Sequence, residues 1–270
     1  QRIMLLRHSI KSPIAAAIWN LQLYRPTRMK LALEGMRSFE LSADEQAPLE
    51  ELTSGAPAQV RQFKVEISTL NRYRTAILGP GSARQSLNSI ITADILNQLA
   101  LSVPATHAMA VAMPIDCRRF VRNADNVDGN FAPAVCIGRL HEVWTAQLAN
   151  DRIARALEIG APVAVMLRGI RHGSGSQGTD TDARVKRLRR GQTVTISHIR
   201  TDANLNGVIE RMPFAEVGTT GKGRARQGIS IRTERAGGFL HITITDDSEL
   251  VDCSVFENGL KDIFDAERAT

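Results

Sequence analysis

The run His198-Ile-Arg-Thr-Asp202 spells His-x-x-x-Asp, a spacing that offers an imidazole as general base with a nearby carboxylate. It stands alone, with Ala203 and Asn204 after Asp202. The simpler reading is a polar strand end. Asp116 and Arg118 stand two apart on a predicted strand end, so both point to one face, and a local ion pair is the simplest role for Asp116. Lys186, Arg187, Arg189 and Arg190 form a basic cluster that fits an acidic carrier protein or a coenzyme phosphate, or else a solvated face.

Other apparent motifs fail on spacing. Ser174 and Ser176 sit in a Gly-Ser loop without the strand-to-helix context of a nucleophile elbow. Thr219-Thr-Gly-Lys222 is followed by Gly223, where a phosphate loop needs Ser or Thr. His8, His107, His141, His172 and His241 do not converge with one another or with cysteines, so no metal site is expected. Three widely spaced cysteines, Cys117, Cys136 and Cys253, without a CxxC pair, predict buried thiols in a reducing cytoplasm.

The chain has 270 residues, 43% of them hydrophobic, which is enough for one large domain with a true core. Only 4% are aromatic, so aliphatic side chains must build that core. The formal charge of +6 favours acidic partners. Two Trp and two Tyr leave little for base stacking and no nucleic-acid motif appears, which argues against a nucleic-acid partner. No apolar run reaches membrane-spanning length.

The elements that must position these residues follow from pattern. Residues 3–24 predict one or two helices broken near Pro13, and 30–41 a strand or extended linker. Residues 62–67 alternate as a strand, and 68–78 carry helical spacing. The strongest helix spans 87–101, capped by Ser86 or Asn88, with Ile91, Ile95 and Leu99 on one apolar face. Strands are expected over 108–115, 131–137 and 193–199. A helix is expected over 143–157 and a loop over 171–182. A hairpin over 227–245 turns around Arg235-Ala-Gly237, and a closing helix spans 249–266. Interleaved strands and helices predict an α/β or α+β layered fold with a mixed sheet packed by helices.

The central motifs carry a resemblance. They read Ser86-Leu-Asn-Ser-Ile-Ile-Thr-Ala-Asp-Ile-Leu, then Ala110-Val-Ala-Met-Pro-Ile-Asp-Cys-Arg-Arg-Phe, then Asp128-Gly-Asn-Phe and Thr193-Val-Thr-Ile-Ser-His-Ile. In this order they resemble the carboxyl-terminal half of the condensation-domain and chloramphenicol-acetyltransferase-like acyltransferase superfamily, closest to polyketide-associated acyltransferases. The resemblance covers about residues 60–266. It implies that residues 61–270 form the second acyltransferase-like domain and that residues 1–60 are linker helices and a connector.

The family also carries His-His-x-x-x-Asp-Gly near the end of its first half, where the second His is the general base. No such run occurs here, and the chain begins with Gln1 rather than Met. The expectation is therefore an amino-terminal half-domain upstream or on a partner chain. The resemblance implies that Arg118 pairs with the Asp of that motif, as a planar guanidinium suits a buried carboxylate. It implies that Ser197 lines the channel and donates to the oxyanion of a tetrahedral intermediate, and it places Asn88 beside that channel. The implied substrate is an acyl thioester on coenzyme A or an acyl carrier protein, with no covalently bound cofactor. The acceptor is an alcohol or amine. The competing reading is a non-catalytic half-domain that binds a protein partner or an acidic carrier protein.

Overall fold

The computed structural model describes residues 30–32, 34–35, 59–78, 86–116, 132–165, 193–200, 228–246 and 250–265. Six strands form one mixed sheet: β1 (Gln59–Glu66), β2 (Ala110–Pro114), β3 (Ala134–Arg139), β4 (Thr193–Arg200), β5 (Ile229–Ala236) and β6 (Phe239–Asp246). Their order across the sheet is β1-β6-β5-β4-β2-β3. Strands β2, β4 and β5 run parallel, whereas β3, β6 and β1 pair antiparallel with their neighbours. Among the described residues the longer helices are α1 (Ile67–Leu78), α2 (Leu87–Ser102), α3 (Ala146–Glu158) and α4 (Cys253–Asp265). The expected mixed sheet packed with helices is what the chain forms.

Strand alternation divides the sheet into two chemically different faces. Val111, Val135, Ile137, Val194, Ile196, Ile229, Ile231, Leu240, Ile242 and Ile244 are buried in one core with the helices. Phe63 of β1 meets Phe256 of α4 edge-on at 6.1 Å. The opposite face carries Thr193, Thr195, Ser197, Ser230, Arg232, His241, Thr243 and Thr245, all half-buried.

Helix α2 begins at Ser86, whose Oγ accepts the Ser89 amide at 3.1 Å. Ser86 is thus the cap, and Asn88 lies inside the helix. The helix buries more than the single apolar face that Ile91, Ile95 and Leu99 suggest. Leu87, Ile90, Ala93 and Leu96 are buried as well, because α2 packs against the sheet, α1, α3 and α4 together. Thr145 caps α3 by accepting from the Leu148 amide at 3.0 Å. Asp252 caps α4 by accepting from the amides of Ser254 and Val255 at 3.0 and 3.1 Å.

Three local expectations are corrected. Residues 30–32 and 34–35 are helical rather than extended, with Lys30 and Glu34 one turn apart at 3.8 Å and Ala32 buried between them. The hairpin turn is Gly237-Gly238, not Arg235-Ala-Gly237. Both glycines have positive φ, 57° and 81°, as a tight two-residue connection between twisted strands requires. Cys136 and Cys253 are only partly buried, and burial together with Asp246 nearby pushes the Cys253 thiol above its ordinary value. Cys117 lies outside the described residues.

Candidate functional site

The carboxyl ends of β2, β4 and β5 share one edge of the sheet, since these strands are parallel. In open α/β sheets, ligands gather at this edge. The β2–β4 ladder ends at Ala112–Thr195, whereas β4–β5 continues to Arg200–Arg235. Strand β4 therefore projects beyond its β2 partner, carrying Ser197 and His198 on its two faces.

His198 lies in phase with Val194 and Ile196, so its ring enters the helix layer. Its Nε2 is 2.7 Å from Thr92 Oγ1 on α2, and its Nδ1 is 2.6 Å from Thr233 Oγ1 on β5. Thr92 Oγ1 also donates to the Asn88 carbonyl at 2.7 Å. A hydroxyl has one proton. With the Thr92 proton on the Asn88 carbonyl, Thr92 accepts from His198 Nε2–H, and Nδ1 accepts the Thr233 hydroxyl. Both ring nitrogens of neutral His198 are thereby satisfied. Burial lowers its pKa to about 4, and the positive charge of Arg235 acts in the same direction.

This geometry decides what the Thr-His-Thr cluster can do. It resembles a nucleophile, a base and an orienting group, but the proton of Thr92 already points to a backbone carbonyl. Thr92 has 0% exposure, so no electrophile reaches it. Neither nitrogen of His198 faces an acceptor proton. The cluster is a clip between α2 and the sheet. Asp202, the other member of the His-x-x-x-Asp run, lies outside the described residues.

Ser197 points to the opposite face, where its register partner is Arg232 and the next across is Thr243. Arg232 donates to Glu234 Oε2 at 2.8 Å, with side-chain exposures of 33% and 5%. The Arg232 Nε is buried without a hydrogen-bond partner. Thr195, Ser230 and Thr245 stand side by side in the adjacent row. This second face thus presents ranked hydroxyls around the Arg232–Glu234 ion pair, a surface able to donate several hydrogen bonds to polar groups passing across it.

The two expected channel residues are not brought together. Asn88 is exposed near the start of α2, on the helix side, and its Oδ1 accepts from Arg235 Nη2 at 2.8 Å. Asp116 is exposed just after β2, on the same edge. Arg118, Lys186, Arg187, Arg189 and Arg190 lie outside the described residues. Among the described residues no cluster of His, Cys, Asp and Glu could hold a metal ion, and no helix is long and apolar enough to cross a membrane.

Sequence reasoning missed Arg232 and Glu234, although Thr193-x-Thr195-x-Ser197 already signals a polar strand face. It also missed the clasp around Trp144. Asn97 Nδ2 donates to the Trp144 carbonyl at 2.8 Å, and Asn97 Oδ1 accepts the Trp144 amide at 3.1 Å. The indole Nε1 donates to the Arg139 carbonyl at 3.0 Å. This fixes α3 to β3 and α2, so the edge of the sheet is held rigidly.

Compared with solved structures, the chain is similar to the condensation domain from Monacolin K polyketide synthase MokA, at 11% identity and a TM-score of 0.50. That similarity covers 87% of this chain and 56% of that one. The chain has a condensation-domain fold. Two further structures are similar to this condensation-like chain. One is the PapA2 acyl transferase, at 15% identity and a TM-score of 0.49, covering 90% of this chain and 51% of that one. The other comes from a study of condensation domain-mediated chain release from the enacyloxin polyketide synthase, at 17% identity and a TM-score of 0.48, covering 90% and 48%. The condensation-like chain therefore spans about half the length of these three structures. Neither a protein-family model nor a curated protein matches its sequence.

Proposed function

We propose that this chain is the carboxyl-terminal half of an acyltransferase that moves an acyl group from a coenzyme A or carrier-protein thioester to an alcohol or amine. The observation that carries the reading is the pairing of a condensation fold, over about half the length of its structural neighbours, with a sheet face rich in half-buried hydroxyls. The general base, in this reading, is the second His of a His-His-x-x-x-Asp-Gly run on an amino-terminal half-domain. It removes the acceptor's proton as the acceptor oxygen or nitrogen attacks the thioester carbonyl. A tetrahedral oxyanion forms and accepts a hydrogen bond from Ser197. Collapse expels the thiolate, which takes the proton from the imidazolium. Arg118 is the strut that orders the His loop by pairing with its Asp. Lys186, Arg187, Arg189 and Arg190 are the docking cluster for coenzyme phosphates or an acidic carrier protein.

The test is transfer by the two halves together, with an acyl-coenzyme A and an acyl-carrier thioester offered separately, followed by release of free thiol. Thiol release coupled to ester or amide formation, reduced by Arg118→Ala, supports the reading. Hydrolysis without transfer, or transfer indifferent to Arg118, removes it.

A second reading has its own observation. His198 has both ring nitrogens engaged by threonine hydroxyls. On that ground the chain acts as a non-catalytic half-domain binding a protein partner or an acidic carrier protein. Salt-sensitive binding to a carrier protein, with no chemistry in any combination, distinguishes it.

A further inference from the structure

The clip that joins α2 to the sheet is built from groups whose hydrogen-bond directions are all committed. Thr92 Oγ1 spends its proton on the Asn88 carbonyl, so it can only accept from His198 Nε2. Thr233 Oγ1 is left as the donor to Nδ1. With these directions the arrangement closes on a neutral imidazole protonated on Nε2. One added proton puts a second N–H on the ring, and it meets the hydrogen of the Thr233 hydroxyl head-on. Thr233, at 2% exposure, must then turn its own proton toward a new acceptor within the core.

The surroundings oppose that proton. From β5, Arg235 faces the ring with a positive charge. From α2, the nearby side chains are Asn88 and Thr92, which do not titrate, and Asp94 is turned away toward Tyr73 of α1. Strand β2 (Ala110–Pro114) carries no titratable side chain. Within β4, Ser197 faces the other side of the sheet, and so do Arg232 and Glu234 of β5. Among the described residues no carboxylate approaches to stabilise an imidazolium.

The same corner holds a second tie, from Arg235 Nη2 to Asn88 Oδ1 at 2.8 Å. Thr92 and Asn88 are one turn apart on α2, and Thr233 and Arg235 are two apart on β5, so both ties pin the first turns of α2 to one strand. We propose that Thr92, His198 and Thr233 form a proton-operated clip whose protonation on Nδ1 releases the amino-terminal turns of α2 from β4 and β5. Acid loosens this corner of the sheet while the remaining core stays packed. The clip is independent of the acyl-transfer reading, since it needs no second half-domain and no substrate.

The experiment is an NMR titration of the isotopically labelled full chain from pH 7.5 to about 2.5, following the ring nitrogens of His198 and amide exchange along α2. His198→Gln identifies the resonance by its loss. The expected result is an Nε2–H neutral tautomer in the wild-type chain. Two conservative variants should move the midpoint in opposite directions. Thr233→Val removes the donor that favours the neutral ring and raises the midpoint by about one unit. Thr92→Val removes the acceptor that binds the cation best, and lowers it. Amide exchange over the first two turns of α2 should accelerate through the midpoint before the core amides do. An Nδ1–H tautomer overturns the proposal even where both variants fail to fold. So does protection of α2 that is unchanged across the wild-type midpoint, or a shift of the same sign in both variants.

Discussion

Thr92 and His198 stand 106 residues apart in the chain, and their side chains meet at 2.7 Å inside the domain. This contact ties the most buried helix to the strand that carries Ser197 on its other face. His198, read from the sequence as part of a polar strand end, fastens the helix layer to the sheet.

The fastener has a pH signature. The His198 pKa falls from 6.5 in the unfolded chain to about 4 in the folded one. Between these values the unfolded chain binds more protons, so His198 removes stability as pH drops from about 6.5 to 4. Its contribution is complete above pH 6.5. Asp94 acts oppositely: burial raises its pKa from 3.8 to about 6, with a Tyr73 hydrogen bond partly offsetting the rise. The folded chain then binds more protons between pH 3.8 and 6, so Asp94 adds stability as pH falls through that window. The two slopes oppose each other. His198→Gln should leave the Asp94 slope exposed, with urea midpoints that rise as pH falls from 6 to 4. A midpoint that still falls with acidification as in wild type contradicts this.

Asp94→Asn tests the same pair from the other side. The charged carboxylate is costly above pH 6, and its Oδ2 is buried without a partner. The variant should be more stable than wild type at pH 7.5 by about 1–2 kcal/mol, allowing for partial solvent access. The gain should vanish near pH 4. Chemical denaturation at the two pH values checks it.

Gly138 lies under the Trp144 indole. A methyl group there would sit 2.7 Å from two ring carbons, Cζ2 and Cη2, and the indole is fixed by its bond to the Arg139 carbonyl. Gly138→Ala should cost about 1–3 kcal/mol through overpacking, read as a lowered thermal midpoint.

Asn97→Ala removes both side-chain bonds to the Trp144 backbone and leaves a buried residue's amide and carbonyl unpaired. A loss of about 1–3 kcal/mol is expected. Asn97→Asp should restore only the acceptor half, giving an intermediate value.

The architecture was legible where periodicity and burial agree. Strand alternation at Phe63, Val65 and at Val194, Ile196 marked β1 and β4, and the run from Leu87 marked α2. The ends were harder. The turn at Gly237-Gly238 was misplaced by one residue because Gly237 fits either frame, and only the pairing of Ala236 with Phe239 settles it. Residues 30–35 read as extended because Leu31 and Leu33 alternate with other types, whereas the one-turn contact of Lys30 with Glu34 favours helix. The site was less legible than the fold. Ser197 and Asn88 lie on different sides of the sheet, a placement that depends on strand register and helix packing rather than on local sequence. The Arg232–Glu234 pair was invisible because each residue is ordinary in sequence and only the sheet buries the carboxylate.

Ser197 separates chemistry from packing. In reconstituted acyl transfer, Ser197→Ala should lower turnover about 100-fold while leaving thioester binding unchanged, the pattern of a lost oxyanion donor. A change confined to apparent affinity assigns Ser197 to the channel wall alone.

The central claim is that this chain works as one half of an acyltransferase, and native mass spectrometry of the purified material tests it most directly. The expected result is a one-to-one assembly, covalent or not, with a polypeptide segment bearing His-His-x-x-x-Asp-Gly, and that assembly should form ester or amide from an acyl thioester. A 270-residue chain that runs alone as a folded monomer and gains no partner or activity when such a segment is supplied contradicts it.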